Sequence, residues 1–196
     1  MNAVRYYVAL IMVVMLPAAL FYWLLIHPLV RFWRRLGPGW AYGIVCSFMA
    51  LGMVGLSRIR HALLAVEFGT GYYLTALGLL LLAASAWLAF QILRHMSPLT
   101  IMGLAELAPD QRPQRLITTG VYAIIRHPRY VQFYLGLLGS ALIANYLAPY
   151  MVVALWLPGI YVIVLLEEKE LRDRFGPAYD EYCRRVPRFI PRFTRI

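Results

Sequence analysis

The sequence has few charged residues and only two cysteines. Asp, Glu, Lys and Arg make up 14% of its 196 residues, whereas about a quarter is usual for a soluble domain. Cys46 and Cys183 are far apart and form no CxxC pair, so neither a disulfide framework nor a zinc site is predicted. GxGxxG, P-loop, HExxH and GxSxG patterns are also missing, which excludes the common nucleotide, metal and acyl-transfer motifs.

Apolar residues fill most of the chain instead. They account for 62% of the sequence, and the mean hydropathy is +0.66. They are concentrated in runs that are long enough to cross a bilayer as helices. The sequence therefore predicts an all-α integral membrane protein with about five transmembrane helices, at residues 6–26, 40–56, 72–93, 128–147 and 149–166.

The basic residues are distributed unevenly around these runs. With five spans, the 19 Lys and Arg residues divide 16 to 3 between the two sides. The positive-inside rule then predicts an outside N-terminus and a cytoplasmic C-terminus. The formal net charge of +10 needs no nucleic-acid partner, because the basic residues flank apolar runs and do not line one face of a soluble domain.

We divide the chain into two parts. Residues 1–95 hold transmembrane helices 1 to 3. Residues 96–196 hold a connector, the hairpin of helices 4 and 5, and a polar C-terminal segment. In that segment Gly176 is predicted to cap one helix and Pro177 to begin another. An apolar stripe at three- and four-residue spacing makes the segment amphipathic, and it would lie along the cytoplasmic interface or pack under the spans: Leu171, Phe175, Tyr179 and Tyr182.

The triplet Arg126-His127-Pro128 precedes the fourth apolar run. Proline suits the first turn of a helix, and the residue before it is pushed toward an extended conformation. The helix should therefore begin at Pro128, with unpaired N–H groups that favour a carboxylate or phosphate. Arg126 adds a planar donor fork. In the simpler alternative, Arg126 and Arg129 only reach lipid head groups and His127 only caps the helix.

Two adjacent acids, Glu167 and Glu168, follow the fifth apolar run. They diverge by about 100° on a helix, so only one is expected to face inward, and both could instead begin a surface helix. Together with Tyr122 and Tyr130, which offer flat rings to a base, the two polar stretches suggest a ligand with both signs of charge. S-adenosylmethionine is such a ligand, because it has a carboxylate, an ammonium and a sulfonium group as well as an adenine base.

Residues 116–130 (LITTGVYAIIRHPRY) and 167–191 (EEKELRDRFGPAYDEYCRRVPRFIP) resemble the isoprenylcysteine carboxyl methyltransferase family, which belongs to a wider set of membrane methyltransferases that includes phospholipid methyltransferases. The resemblance covers residues 114–191. It implies a five-helix core in which the last hairpin and the C-terminal segment enclose S-adenosylmethionine on the cytoplasmic side. It also implies a lipophilic or prenylated acceptor that enters from the bilayer, and carboxyl O-methylation of an isoprenylcysteine-like substrate.

The resemblance also assigns site residues by position. Glu167 falls on the family's acidic contact and is expected to be the inward acid. Arg126 and Glu168 are predicted to be catalytic, and Glu168 or His127 would accept a proton from an amine or thiol acceptor. No metal ligand is predicted. The residues expected to contact the cofactor are Gln114, Arg115, Leu116, Ile117, Tyr122, His127, Pro128, Arg129, Tyr130 and Glu167.

This chain departs from the family pattern at three positions. Gln114 stands where His is frequent, and Gln132 where Gly is frequent. Ile163 stands where eukaryotic members have an arginine that helps to hold prenylcysteine. Other functions therefore stay open: phospholipid N-methyl or small-thiol S-methyl transfer, an NADPH enzyme like the sterol reductases, or a non-enzymatic membrane scaffold.

Overall fold

The computed structural model describes residues 2–26, 28–95 and 115–192. Most of the predicted connector and Gln114 lie outside these residues. The regular structure within them is helical, with a short 3-10 helix at Gly120–Ala123. The α-helices are α1 (Asn2–Ile26), α2 (Val30–Leu36), α3 (Pro38–Arg58), α4 (Arg60–Leu63), α5 (Tyr72–Leu93), α6 (Pro128–Ala144), α7 (Leu147–Phe175) and α8 (Pro177–Arg185).

The predicted all-α membrane protein is confirmed. Among the described residues, α1, α3, α5 and α7 are long and apolar enough to cross a membrane. The fourth predicted span, α6, has 17 residues, which is the lower limit for a spanning helix. A fifth crossing and the orientation of the termini stay predictions. The sequence reading missed α2, a seven-residue helix between the first two spans.

Helices α5 and α6 run antiparallel and form the most extensive helix contact of the bundle. They approach closely because Gly78 and Gly139 face each other: a Cβ placed on either glycine would lie 2.7 Å from the other's carbonyl oxygen. Small residues allow such close packing between membrane helices. Further along the pair, the Ser85 hydroxyl donates to the Gln132 carbonyl oxygen at 2.9 Å.

The predicted hairpin of the last two apolar helices is confirmed. Asn145 ends α6 in the left-handed conformation (φ 55°), and α7 begins two residues later. The segment before α5 holds this turn in place, because the Asn145 side-chain amide donates to the Gly69 carbonyl oxygen at 2.9 Å. Buried Arg5 of α1 donates to the last carbonyl of α6 at 3.1 Å and pairs with Glu67 at 2.8 Å.

The polar C-terminal segment folds back against the hairpin. Helix α7 continues past the apolar run and ends at Phe175, Gly176 turns the chain with φ 53°, and Pro177 begins α8. The cap at Gly176 and the helix start at Pro177 were predicted, whereas the continuation of the last span as one helix to Phe175 was not. Tyr179 and Tyr182 are buried, and they form an apolar cluster with Leu116, Leu171 and Phe175. The position of this stripe relative to the membrane stays a prediction.

Candidate functional site

The amino-terminal end of α6 forms the first side of the site. Pro128 occupies the first helical position, as the sequence predicts. His127 precedes it with φ −121° and ψ 56°, which is outside the helical region but is not the extended conformation that was expected. The backbone N–H groups of Arg126 and His127 donate to the carbonyl oxygens of Pro187 and Arg188 at 2.9 and 3.1 Å. The chain after α8 therefore runs along the start of α6.

Arg126 connects three elements at this junction. One terminal nitrogen donates to the carbonyl oxygens of Cys183 and Val186, both at 2.9 Å. These carbonyls lie at the end of α8, where a helix carries partial negative charge. The other terminal nitrogen donates to Oε1 of Glu168 at 2.9 Å. The two polar stretches identified in the sequence therefore meet through Arg126.

Glu168 is buried and lies at the centre of a charge cluster. Besides Arg126, it accepts two hydrogen bonds from Arg188, from Nε at 2.9 Å and from Nη2 at 2.6 Å. Nε2 of His127 lies 3.0 Å from Oε1, and it donates because an ionised carboxylate only accepts. The hydrogen bonds to Glu168 raise the pKa of the Arg188 guanidinium, so Arg188 keeps its charge.

His127 lies between the two adjacent acids. Its Nδ1 is 3.7 Å from Oε2 of Glu167, on the other side of the ring from Glu168. The Glu167 side chain is 21% exposed, compared with 6% for Glu168. Glu168 is therefore the more deeply buried of the two acids, and the contact of Glu167 with the cofactor stays a prediction. The rotation of α7 about its axis turns Glu168 toward α6 and the chain after α8, and leaves Glu167 at the edge of the cluster, where it still meets His127.

The two tyrosines of the first stretch are both buried. The Tyr122 carbonyl oxygen accepts a hydrogen bond from the Tyr182 hydroxyl at 2.6 Å, and burial raises the pKa of the Tyr122 phenol to about 12. The Tyr130 hydroxyl accepts from Arg129 at 2.9 Å. Neither ring presents an open face in this structure, and their contact with a cofactor stays a prediction.

The segment before the 3-10 helix joins the cluster to the spans. Arg115 is exposed. Leu116 packs against the buried side of α8, while Ile117 packs against the end of α5 and Tyr122. Of the predicted site residues, the structure thus brings Arg126, His127, Glu167 and Glu168 together, while Gln114 lies outside the described residues.

Sequence reasoning missed Arg188, which makes the bidentate contact with Glu168. A signal was present. A carboxylate close to a membrane boundary needs a cation near it, and Arg188 lies in the short Val-Pro-Arg-Phe-Ile-Pro run that ends the second stretch. The sequence alone did not bring that run back to Glu168, because α8 and its turn lie between them.

The sequence matches a known protein family. A family model described as phospholipid methyltransferase matches residues 73–178, which is more than half of the chain and includes α5, α6 and α7. No solved structure matches the chain significantly.

Several curated proteins are similar to parts of the chain. The nickel-cobalt-cadmium resistance protein NccN of Alcaligenes xylosoxydans xylosoxydans is 33% identical over 84 residues, 43% of this chain and 39% of the relative. Protein-S-isoprenylcysteine O-methyltransferase of Schizosaccharomyces pombe is 34% identical over 77 residues, 39% of this chain and 33% of the relative. Delta(14)-sterol reductase TM7SF2 of Mus musculus is 33% identical over 101 residues, 47% of this chain and 22% of the relative.

The chain thus matches well under two thirds of the length of each of these relatives. In the part of the chain that the structure describes, no three His, Cys, Asp or Glu side chains are grouped so that they could hold a metal ion.

Proposed function

Because the chain belongs to the phospholipid methyltransferase family, we propose that it transfers a methyl group from S-adenosylmethionine to a lipophilic acceptor in the membrane. The observation that carries this proposal is the placement of His127 between Glu167 and Glu168 at the start of α6. This cluster lies at the polar end of the apolar α6–α7 hairpin and inside the region that matches the family. By the distribution of basic residues, this end faces the cytoplasm.

The residues present fit the charged groups of S-adenosylmethionine. The partly exposed Glu167 carboxylate suits an ammonium or sulfonium group. The exposed Arg115 guanidinium suits the carboxylate of the cofactor. The unpaired N–H groups predicted for the start of α6 do not add to it, because those of Arg126, His127, Tyr130 and Val131 donate to backbone carbonyl oxygens. When bound, the cofactor supplies the methyl group as an electrophile. The residues proposed to hold it are Gln114, Arg115, Leu116, Ile117, Tyr122, His127, Pro128, Arg129, Tyr130 and Glu167.

Glu168 and Arg126 act as positioning residues in this account, which corrects the catalytic roles predicted for them. The Glu168 carboxylate already accepts from Arg126, Arg188 and His127. A carboxylate held by two guanidinium groups has little tendency to take a proton, so it does not serve as a general base. Its function is to fix the ring of His127 and to hold the chain after α8 on the hairpin.

An acceptor that is already ionised agrees with this arrangement. A carboxylate acceptor needs no general base, only orientation and removal of water. The similarity to the Schizosaccharomyces pombe isoprenylcysteine enzyme supports an isoprenylcysteine-like carboxylate as the acceptor. The position of Ile163 argues for a different contact to that carboxylate, because Ile163 is fully buried in α7 and supplies no charge.

A second candidate is an NADPH-dependent reductase, which the similarity to the mouse sterol reductase supports. The two candidates differ in the cofactor and in the product. Purified protein in lipid nanodiscs should transfer a radiolabelled methyl group from S-adenosylmethionine to a farnesylcysteine or phosphatidylethanolamine acceptor that is added to the bilayer. Label in neither lipid fraction, together with NADPH consumption in the presence of a sterol, would replace the methyltransferase proposal with the reductase one.

A further inference from the structure

A groove of about 380 Å³ opens between α1, α5 and α6. This volume falls within the range of small-molecule pockets, roughly 300–1,000 Å³. Aliphatic side chains of α1, including Ile11, form one wall, and Leu82 of α5 forms another. Gln132, Phe133 and Ser140 of α6 lie along its floor. The groove therefore follows α6, the helix that begins at the candidate site.

The groove begins about one helical turn from the charge cluster, at Gln132, and follows α6 into the apolar part of the bundle. Gln132 lies about 6 Å along the helix axis from Pro128, and Ser140 about 12 Å further. Both residues line the groove, together with Gly136 between them. A chain lying in this groove would have one end beside the cluster and the other in the hydrocarbon region of the bilayer.

The chemistry of the groove selects for an uncharged occupant. Its lining residues carry no charged side chain, and most of them are aliphatic or aromatic. Helices α1 and α5 beside the groove are long and apolar enough to cross a membrane, and a charged group inside a membrane is costly. A single hydrocarbon chain is the occupant that agrees with the lining, the volume and the depth.

Gln132 is the polar residue of the groove lining that lies nearest to the charge cluster. Its amide nitrogen donates to the Ser85 hydroxyl at 3.0 Å, and that hydroxyl donates to the Gln132 backbone carbonyl at 2.9 Å. The Ser85 contact holds the amide in place but uses only one of its hydrogen-bonding positions, since an amide has two N–H donors and an acceptor oxygen. A polar group in an apolar site is unfavourable unless it is hydrogen-bonded.

We propose that this groove binds the hydrocarbon chain of the methyl acceptor, and that Gln132 selects acceptors with a neutral hydrogen-bonding group, such as an ester, amide or hydroxyl, near the reacting end. The claim that the bound lipid is the methyl acceptor rests on the proposed function. The existence of a chain-binding groove can be tested independently of it.

The test of the groove uses a monoacylglycerol with a diazirine in its chain, incorporated into nanodiscs with the full-length protein. After photolysis, mass spectrometry should find the label concentrated on groove residues of α1 and α6. Ser140→Phe fills the floor and should reduce this labelling at least severalfold. The matched control is Ser47→Phe, since Ser47 lies on an exposed face of α3, and it should leave groove labelling unchanged.

A second variant, Ile11→Trp, fills the groove from its exposed rim, and it keeps the test valid if Ser140→Phe does not fold. Equal groove labelling in the wild type and in a folded filled variant would overturn the inference. Labelling spread evenly over all lipid-facing helices would overturn it as well.

The role of Gln132 is tested with a second probe, a diazirine alkane that has no polar group. The wild type should prefer the monoacylglycerol by roughly five-fold, the ratio that one hydrogen bond of ordinary strength produces. Gln132→Leu should remove that preference while both probes still label the groove. An unchanged preference in Gln132→Leu would remove Gln132 from the proposal.

Binding of S-adenosylhomocysteine, measured in the same samples, separates this inference from the proposed function. If the cofactor product binds and the groove is not labelled, the function stands and the groove assignment fails. If the groove is labelled and the cofactor product does not bind, the chain-binding site stands and its bound lipid is not a methyl acceptor.

Discussion

Nε2 of His127 lies 3.0 Å from Oε1 of Glu168, although the two residues are 41 positions apart in the chain. The contact joins the start of α6 to the polar end of α7, so it closes the hairpin at the end where both stretches of charged residues occur. Arg126 and Arg188 donate to the same carboxylate. The hairpin, the chain after α8 and the candidate cofactor site are thus held by one buried acid.

Removing the charge of Glu168 should destabilise the protein strongly. Glu168→Gln leaves two arginines without their common anion, and breaking a buried ion pair costs about 3–5 kcal/mol. Thermal unfolding in detergent should show a large drop in the midpoint. Glu181→Gln is the control, because Glu181 pairs with Arg184 on the exposed side of α8, and it should change the midpoint little. Equal effects of the two changes would contradict a central role for Glu168.

Arg188 and Glu168 should behave as a coupled pair. In a double-mutant cycle with Arg188→Gln and Glu168→Gln, the double variant should be more stable than the sum of the single losses indicates. Residues in direct contact couple by about 0.5–3 kcal/mol. The same cycle on Arg184 and Glu181, which are both exposed, should show no coupling outside experimental error. Additive losses at Arg188 and Glu168 would show that the 2.6 Å contact carries no energy.

The close approach of α5 and α6 should make Gly139 intolerant of a side chain. A Cβ at Gly139 would lie 2.7 Å from the Gly78 carbonyl oxygen, and overpacking of this kind costs typically about 1–3 kcal/mol. Gly139→Ala should therefore lower the unfolding midpoint. Gly43→Ala serves as the control, because no atom lies within 4 Å of its added Cβ, and it should be neutral or stabilising. A neutral Gly139→Ala would mean that the two helices are farther apart than described.

Tyr122 should ionise late in an alkaline titration. Burial raises the pKa of its phenol to about 12, above the value of about 10 that an unfolded tyrosine has. The fold therefore favours the neutral phenol, and this contribution to stability is complete below pH 10 or so and is lost as the pH rises through about 12. Phenolate absorbance measured against pH should show a titration step near pH 12, and Tyr122→Phe should remove this step. A titration that Tyr122→Phe leaves unchanged would contradict the burial of this ring.

The features that the sequence predicted well are local ones. The Tyr72–Leu93 helix follows from its own apolar run, the start of α6 from the His127-Pro128 pair, and the break between α7 and α8 from Gly176 and Pro177. Each is determined by backbone preferences over a few residues, so no knowledge of the packing was needed.

The features that were missed depend on packing. Whether Glu167 or Glu168 faces inward is set by the rotation of α7 against α6, and neighbouring residues cannot reveal that angle. The partner of Glu168 was missed for a similar reason, because Arg188 reaches it only after α8 has turned the chain back. Sequence reasoning therefore identified the two stretches of the site, and the structure was needed to pair their side chains.

The most direct test of the account is calorimetric binding of S-adenosylhomocysteine to the purified protein in detergent, with NADPH titrated in parallel. We predict micromolar binding of S-adenosylhomocysteine to the wild type, and its loss in His127→Ala and Glu167→Ala variants that remain monodisperse and folded. His61→Ala should bind normally, since His61 is exposed and lies in α4. Binding of NADPH alone, or wild-type affinity for S-adenosylhomocysteine in both site variants, would contradict the proposed site.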